Sequence, residues 1–227
     1  MASVVSTKVY AAARTTAQTL RITEIFFSIQ GESTRAGLPT VFVRLTGCPL
    51  RCRYCDTAYA FHGGTRMSCD AVLSEVAQYD TRYVTVTGGE PLAQGACLTL
   101  LTRLCDLGYR VSLETGGALD IAGVDARVMK VVDLKTPGSG EEAKNRYQNI
   151  QYLTAQDQIK IVICDREDYE WAKARLREIT PACEVLLSPS AVQLAAAELA
   201  DWILADRLPV RFQMQLHKVL WGDVPGR

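Results

Sequence analysis

Three cysteines lie close together in the chain, Cys48, Cys52 and Cys55, at the spacing C-x3-C-x2-C. Thiolates placed like this on one loop can converge on a single soft metal centre. A cubane iron–sulfur cluster takes a cysteine on each iron, and most such sites supply four. A loop that supplies three leaves one iron open to chelation by a small molecule. The spacing therefore predicts an iron–sulfur site with an open coordination position.

Two simpler explanations of these cysteines fit the sequence less well. A structural zinc site normally uses two pairs of closely spaced ligands or added histidines. Here the next cysteine, Cys69, stands alone, and His62 lies in a glycine-rich turn. A disulfide is disfavoured because nothing in the sequence indicates secretion. The iron–sulfur interpretation is therefore the favoured one.

The cysteine loop and a second motif resemble the radical S-adenosylmethionine (radical SAM) superfamily. That superfamily carries the signature C-x3-C-x-aromatic-C, and Tyr54 holds the aromatic position here. Residues 87–91, Thr-Gly-Gly-Glu-Pro, resemble its GGEP motif, in which two glycines let the backbone approach a ligand closely. The resemblance implies a 4Fe–4S cluster and SAM, whose methionine amino and carboxylate groups occupy the open iron. The SAM contacts that it implies are Tyr54, Asp56, Gly88, Gly89, Glu90, Asp133, Lys135 and Ser188.

The residues of this set differ in how closely they match the superfamily. Glu90 can accept a hydrogen bond from the methionine ammonium, whereas Lys135 and Ser188 belong to a looser match. Taken alone, residues 87–91 also suit an ordinary turn from strand to helix. The alternative for Lys135 is a solvated loop charge.

A wider set of segments resembles the 7-carboxy-7-deazaguanine synthase family of that superfamily. These segments are residues 27–32 (Phe-Ser-Ile-Gln-Gly-Glu), Arg44, residues 55–57 (Cys-Asp-Thr) and residues 113–117 (Leu-Glu-Thr-Gly-Gly). The resemblance implies a carbon–nitrogen lyase that converts 6-carboxy-5,6,7,8-tetrahydropterin to 7-carboxy-7-deazaguanine with release of ammonia. It implies Glu114 as the catalytic residue and the substrate contacts Ile29, Gln30, Gly31, Glu32, Arg44, Thr87, Glu114 and Arg227.

The chemistry of these side chains suits the implied roles. Gln30 and Glu32 offer donors and acceptors for the flat edge of a pterin, and Arg44 can form a bidentate pair with a substrate carboxylate. The hydroxyl of Thr57 can ligate Mg2+, whose octahedral shell otherwise consists of substrate oxygens and waters. The alternatives are an arginine that extends to the surface and a hydroxyl that caps a loop. His217 can tune a proton transfer, but a local hydrogen bond is the favoured interpretation.

Strands and helices alternate along the chain. Strands are predicted at residues 21–27, 40–45, 83–87, 110–113, 128–133 and 158–163, with further strands at 184–187 and 210–215. Helices are predicted at residues 71–78, 95–107, 166–179 and 192–205. This order predicts an α/β fold with a parallel sheet and right-handed crossovers. A complete (β/α)8 barrel usually needs about 250 residues, so we expect an incomplete, laterally open parallel (β/α) barrel of about six strands. The radical SAM family commonly has that partial, TIM-like fold.

Polar and glycine-rich loops follow most of the predicted strands. The carboxyl ends of parallel strands gather at one face of the sheet, where ligands bind. We therefore expect five loops to surround one pocket beside the cluster. They are residues 47–57, 87–91, 114–117, 133–138 and 188–190.

Composition restricts the domains and partners. The chain has 227 residues, with 25 Lys and Arg against 25 Asp and Glu. This predicts one domain at residues 20–227 after a flexible extension at residues 1–19, and no net field that attracts nucleic acid or anionic lipid. No apolar run is long enough for a membrane span. Eight cysteines without a signal peptide indicate a reducing, cytoplasmic location.

The family resemblance also implies partners and leaves one competing enzyme. It implies an electron donor such as flavodoxin or ferredoxin, and a homodimer. A glycyl-radical-enzyme activase is similarly short and carries the same cysteine spacing, but it needs a protein partner over the open barrel. The Gln-Gly-Glu loop and the Cys-Asp-Thr segment favour a small pterin instead.

Overall fold

The computed structural model describes residues 18–222, Val224 and Gly226. Nine strands form one sheet: β1 (Thr19–Ile29), β2 (Pro39–Leu45), β3 (Thr65–Ser68), β4 (Tyr83–Gly88), β5 (Arg110–Thr115), β6 (Met129–Asp133), β7 (Gln158–Ile163), β8 (Glu184–Pro189) and β9 (Arg211–Phe212). The five α-helices of this part of the chain are α1 (Cys69–Val76), α2 (Ala96–Asp106), α3 (Arg166–Ile179), α4 (Ala196–Asp206) and α5 (Leu216–Trp221). Short 3-10 helices fill several loops.

The sheet is open, and its main part is parallel. Its strand order is β3-β1-β2-β4-β5-β6-β7-β8-β9. From β2 to β9 each neighbouring pair is parallel. This confirms the predicted α/β partial barrel with a lateral opening. The sequence did not predict β3, nor that β1 runs antiparallel to both β2 and β3. The loop between β1 and β2 is too short for the crossover that a parallel pair requires.

The two faces of the parallel strands carry different side chains. On β7, Ile159, Ile161 and Ile163 pack into the apolar core beneath the helices. Lys160 and Val162, which alternate with them, line a cavity on the opposite face. Side chains on a strand point alternately to its two faces, so one face packs in the apolar core and the other, which carries the polar side chains, lines the cavity. Strands β2, β4, β5 and β6 show the same division.

The loop between β1 and β2 lies across the inner face of the sheet. The backbone N–H of Ser33 donates to Gln213 Oε1 at 2.8 Å, and Gln213 Nε2 donates back to Ser33 O at 3.0 Å. Gln158 Nε2 donates to Thr34 Oγ1 at 2.6 Å. These bonds join the first part of the chain to β7 and to the segment after β9, and Glu32 of the same loop lines the two cavities on this face.

The C-terminal elements differ from the sequence prediction. Helix α4 begins at Ala196 rather than residue 192, because residues 191–193 form a turn in which Val192 is exposed. Strand β9 ends at Phe212, because Gln213 turns inward to bind Ser33. The short helix α5 follows at residues 216–221, for which the sequence predicted no helix.

The predicted N-terminal extension lies mostly outside the described residues. Residues 1–17 are not described, whereas Thr19 already belongs to β1 and pairs with Ser68 of β3. None of the helices in the described part of the chain has the length and apolar character of a membrane span.

Candidate active site

Two adjoining cavities lie on the inner face at the carboxyl ends of the strands. The larger cavity, about 620 Å³, is lined by the three cysteines of the predicted cluster loop, and we call it the cysteine cavity. The smaller one, about 300 Å³, contains Arg44, and we call it the arginine cavity. Nine residues line both: Glu32, Asp56, Thr57, Thr87, Gly88, Glu114, Lys160, Gln215 and Lys218. The predicted convergence of strand-end loops on one site is therefore observed.

The loop that carries Cys48, Cys52 and Cys55 is held by backbone bonds to neighbouring loops. The N–H of Gly47 donates to Ala60 O at 2.8 Å, and the N–H of Arg53 donates to Ser139 O at 3.0 Å. All three thiols are half-buried and line the cysteine cavity. The loop therefore presents its sulfurs to one enclosed space.

Among the described residues, no group of three His, Cys, Asp or Glu side chains is gathered closely enough to hold a single metal ion. In a cubane cluster each thiolate ligates a different iron, so the cysteines need not meet at one point. Burial raises the pKa of the Cys48 thiol, and it raises that of Cys52 to about 11. Ligation to iron deprotonates such thiols.

Gly88 and Gly89 bring the end of β4 against the cysteine loop. A Cβ on Gly88 would lie 2.3 Å from Leu45 O, and one on Gly89 would lie 2.3 Å from Gly47 O. The N–H of Gly89 donates to Leu45 O at 3.1 Å, and the N–H of Glu90 donates to Gly47 O at 2.7 Å. Both glycines are thus required by contact between backbones, and the motif braces the cysteine loop directly.

Glu90 lies behind the wall of the cysteine cavity. It is fully buried and is not among the residues that line the cavity. Its carboxylate accepts bonds from the Thr115 hydroxyl at 2.9 Å, the Gly116 N–H at 2.7 Å and the Leu92 N–H at 3.0 Å. Burial raises the pKa of Glu90 despite these donors. Glu90 therefore fixes the loop after β5, and its direct contact with SAM stays a prediction.

Lys135, Asp133 and Tyr54 form the polar wall opposite. Lys135 Nζ lies 2.8 Å from Asp133 Oδ2 and 5.8 Å from the centre of the Tyr54 ring. Burial is the largest single influence and lowers the pKa of Lys135, but Asp133 and the nearby thiols of Cys52 and Cys48 together raise the net pKa. Lys135 is buried, so the alternative of a solvated loop charge is wrong.

Several buried polar atoms on this side have no partner among the described residues. They are Asp133 Oδ1, Tyr54 Oη and Ser188 Oγ. Asp133 and Tyr54 line the cysteine cavity, whereas the lining near β8 comes from Ser190 rather than Ser188. Buried polar atoms are normally hydrogen-bonded, so the two unpartnered atoms in the lining fit a polar ligand such as SAM.

Arg44 lies in the arginine cavity together with aromatic rings. Its Nε donates to Glu24 Oε1 at 2.7 Å, and its guanidinium lies 5.7 Å from the centre of the Phe26 ring and 5.9 Å from that of Tyr59. The side chain is only 16% exposed. The alternative of an arginine that extends to the surface is therefore wrong, although Arg44 is already paired with a carboxylate.

Thr57 and Asp56 lie where the two cavities meet. The Thr57 hydroxyl donates to Asp56 Oδ1 at 2.8 Å, and Asp56 Oδ2 lies 3.1 Å from Lys218 Nζ. Burial alone would raise the pKa of Asp56, but Lys218 and the hydrogen bonds lower it strongly. An ionised carboxylate beside a hydroxyl offers oxygen ligands of the kind that Mg2+ prefers.

The N-terminal loop supplies most of the remaining predicted substrate contacts. Ile29, Gln30 and Glu32 line the arginine cavity. Gly31 lies against His217, since a Cβ at residue 31 would come within 2.0 Å of His217 Nδ1. Burial lowers the pKa of His217, which favours the neutral imidazole. The remaining predicted contact, Arg227, lies outside the described residues.

The sequence analysis missed Lys160, Gln215 and Lys218. Lys160 Nζ lies 2.5 Å from Glu32 Oε2, and Gln215 Nε2 donates to Glu32 Oε1 at 2.7 Å. The signal for Lys160 was a single charge within an otherwise apolar strand, Gln-Ile-Lys-Ile-Val-Ile. Gln215 was the last residue of the predicted strand 210–215 and Lys218 lay beyond it, so neither was assigned to the site.

Comparisons with known proteins agree with this geometry. A family profile described as the radical SAM superfamily matches residues 42–135. A 7-carboxy-7-deazaguanine synthase from Chlorobaculum tepidum is 46% identical over 208 residues, which cover 89% of this chain and 94% of the relative. Another from Koribacter versatilis is 42% identical over 219 residues, covering 89% and 97%. The crystal structure of QueE from Escherichia coli has the same fold, with a TM-score of 0.76 at 23% identity over 92% of this chain and all of that one.

Proposed function

This chain belongs to the 7-carboxy-7-deazaguanine synthase family of radical SAM enzymes, and from that premise we propose that its substrate is 6-carboxy-5,6,7,8-tetrahydropterin. The product is 7-carboxy-7-deazaguanine, formed by a ring contraction that releases one nitrogen as ammonia. The 4Fe–4S cluster and SAM of this enzyme class supply, when bound, the 5′-deoxyadenosyl radical that removes a hydrogen atom from the pterin C6. The protein orients the reactants and excludes water.

The observation that supports this proposal best is the shared wall of the two cavities. The cysteine cavity holds the ligands for the cofactors, and the arginine cavity holds groups suited to a flat, carboxylated heterocycle. Thr87, Gly88 and Glu114 line both. This shared wall supports a substrate in the arginine cavity that lies next to the cofactors, as a hydrogen transfer between bound reactants requires.

Different residues of the arginine cavity recognise different parts of the substrate. Within the described residues, the carboxylate partner of Arg44 engages only its Nε, so the terminal nitrogens are available to a substrate carboxylate. Gln30, Glu32 and Glu114 supply the polar edge for the ring. Phe26 and Phe42, which are stacked at 5.0 Å, add an apolar wall.

Mg2+ is the third cofactor that we propose. Thr57 contributes its hydroxyl oxygen, and the remaining ligands come from substrate oxygens and waters. This assignment is supported by the place of Thr57 in both cavity linings. We also keep three predictions about the surroundings of the enzyme: a flavodoxin or ferredoxin as electron donor, a homodimer and a cytoplasmic location.

The test of the proposed function is turnover by the anaerobically reconstituted enzyme. Carboxytetrahydropterin, SAM, Mg2+ and a reductant are incubated with the protein, and the products are identified by mass spectrometry. We expect 7-carboxy-7-deazaguanine, ammonia and 5′-deoxyadenosine, with deuterium from C6 of the pterin recovered in the deoxyadenosine. If deoxyadenosine forms without any conversion of the pterin, the enzyme class stands and the substrate assignment is wrong.

A further inference from the structure

Lys160 is a buried cation in the middle of the sheet. Its side chain is 12% exposed, and it lines both cavities from the inner face of β7. Taking an ammonium group out of water is costly unless it is paired and hydrogen-bonded. A strand of otherwise apolar residues would pack more easily with an apolar side chain at this position. The positive charge of Lys160 therefore indicates a role in the site rather than in packing of the sheet.

Lys160 and Gln215 hold Glu32 as an anion. Lys160 Nζ contacts Glu32 Oε2 at 2.5 Å, and the Gln215 amide donates to the other oxygen at 2.7 Å. Both carboxylate oxygens thus accept a bond from a donor, one of them charged. Burial is the largest single influence and would raise the pKa of Glu32, but attraction to Lys160 and the hydrogen bonds from Lys160 and Gln215 together lower the net pKa.

Glu114 lies beside this pair but, among the described residues, forms no ion pair of its own. Its oxygens accept bonds from two neutral donors, the Gln30 amide at 3.1 Å and the Thr87 hydroxyl at 2.9 Å. Gln30 also connects Glu114 to Glu32, since Gln30 Oε1 accepts a hydrogen bond from the backbone N–H of Glu32 at 3.2 Å. Burial, and then the charge of Glu32, raise the pKa of Glu114. Two carboxylates that share one cation favour retention of a proton by one of them.

The other titratable groups that act on these three residues leave this asymmetry in place. Asp133 acts on Lys160 from β6, and His217 acts on Glu32 from α5. Burial lowers the pKa of His217, so the imidazole adds no fixed charge near neutral pH. Asp56 is paired with Lys218. The pairing of Lys160 with Glu32 is therefore the contact that distinguishes the two glutamates.

We propose that Lys160 is a positioning residue that keeps Glu32 ionised and thereby leaves Glu114 as a neutral acid facing the substrate. The inference rests on the proposed function, because it assigns these groups to recognition of the substrate. An anionic Glu32 accepts bonds from ring N–H and amino groups, while a protonated Glu114 donates a bond to a ring oxygen or nitrogen. The site thus selects a flat heterocycle that presents N–H donors beside an acceptor atom.

The first test reads the protonation states without turnover. Infrared spectra of the reconstituted enzyme at neutral pH, without substrate, should contain a carbonyl band from a buried carboxylic acid that disappears in Glu114→Gln. Lys160→Met should add a second band, and the additional change Glu32→Gln should remove it. Lys173→Met is the matched control, because Lys173 pairs with Asp206 far from both cavities, and it should leave the spectrum unchanged. A parent spectrum without a band that depends on Glu114 would overturn the proposal.

The second test is the pH profile of kcat/KM for the pterin. Removal of Lys160 raises the pKa of Glu32, so its ionised form is lost at a higher pH and the acidic limb moves to higher pH. At neutral pH we expect Lys160→Met to lose roughly 10- to 100-fold in kcat/KM, the scale of one charged hydrogen bond. Lys160→Arg keeps the positive charge, so the acidic limb of its pH profile should lie at the same pH as in the parent enzyme.

Cluster content and the ratio of SAM cleavage to pterin conversion separate this role from others. In Lys160→Met the cluster content should equal that of the parent, and pterin conversion should fall further than SAM cleavage. If the acidic limb stays in place, or if SAM cleavage falls as much as pterin conversion, Lys160 does not act through Glu32. If the parent enzyme does not convert the carboxypterin at all, the proposed substrate fails, while the infrared comparison still decides the charge assignment.

Discussion

The Nε of Arg44 donates a hydrogen bond to Glu24 Oε1 at 2.7 Å, so this guanidinium already has a carboxylate partner. Tyr59 Oη donates to the same oxygen at 2.7 Å. These contacts hold the guanidinium plane against Phe26 and Tyr59. A substrate carboxylate must therefore bind the side of the fork that Glu24 does not use. A planar fork can serve two carboxylates in this way, whereas an ammonium group cannot hold the same geometry.

Replacement of Arg44 by Lys should weaken recognition of the substrate and leave SAM binding intact. We expect kcat/KM for carboxytetrahydropterin to fall by roughly 1.5–3 kcal/mol, the scale of a charged hydrogen bond. SAM affinity is measured in the same preparation. Glu24→Gln is the matched control, because it keeps an acceptor for Nε and should cost far less. Unchanged efficiency in Arg44→Lys would remove Arg44 from the pocket, and an equal loss of SAM binding would make it a cofactor contact.

The three loop cysteines should each be required for the cluster, whereas a core cysteine should not. Alanine at Cys48, Cys52 or Cys55 removes an iron ligand, and the electron paramagnetic resonance signal of the reduced cluster should disappear. Cys97 is fully buried in the apolar core, and burial raises its pKa strongly. Cys97→Ala should retain the signal and its change on addition of SAM. An intact cluster in Cys52→Ala would contradict the ligand assignment.

The parts of the site that the sequence predicted are local in the chain. The cysteine loop and the Gly-Gly-Glu-Pro segment are each contiguous motifs. Because both follow parallel strands, they were predicted to lie at the same edge of the sheet without knowledge of any contact between them. The sequence did not predict that Gly89 is needed to clear Gly47 O, nor that Glu90 is buried behind the cavity lining. Those facts depend on the path of the neighbouring loop, which the motif does not encode.

The parts that the sequence missed depend on contacts between distant residues. Gln213 ends β9 because its amide bonds to Ser33, 180 residues earlier in the chain. Lys160 forms its ion pair with Glu32, which lies 128 residues earlier in the chain, and no local pattern around residue 160 indicates that partner. The periodicity of a sequence shows which face of a strand is apolar. It does not show which distant residue contacts a polar side chain on the other face.

Thr57→Ala should abolish the stimulation of turnover by magnesium. The change removes one oxygen ligand from an ion that tolerates poor octahedral geometry badly. Thr57→Ser is the matched control, because it keeps the hydroxyl, and it should keep the magnesium response. Cluster content should be the same in both variants, since neither change touches a thiol. A Thr57→Ala enzyme that still responds to Mg2+ like the parent would limit this hydroxyl to its hydrogen bond with Asp56.

Gly89→Ala should disturb the cysteine loop through steric contact alone. The added methyl group would lie 2.3 Å from Gly47 O and 2.9 Å from Cys48 Cβ, so the end of β4 and the loop must move apart. Overpacking of this kind costs roughly 1–3 kcal/mol of unfolding free energy, and we expect iron content and SAM affinity to fall with it. Gly95→Ala is the control within the same connection: no atom lies within 4 Å of its added Cβ, and its backbone is helical at φ −54°. Denaturant unfolding of that variant should stay within about 0.5 kcal/mol of the parent, with a full cluster. Should Gly89→Ala also keep full iron content and SAM affinity, the glycine pair would not be what braces the cysteine loop.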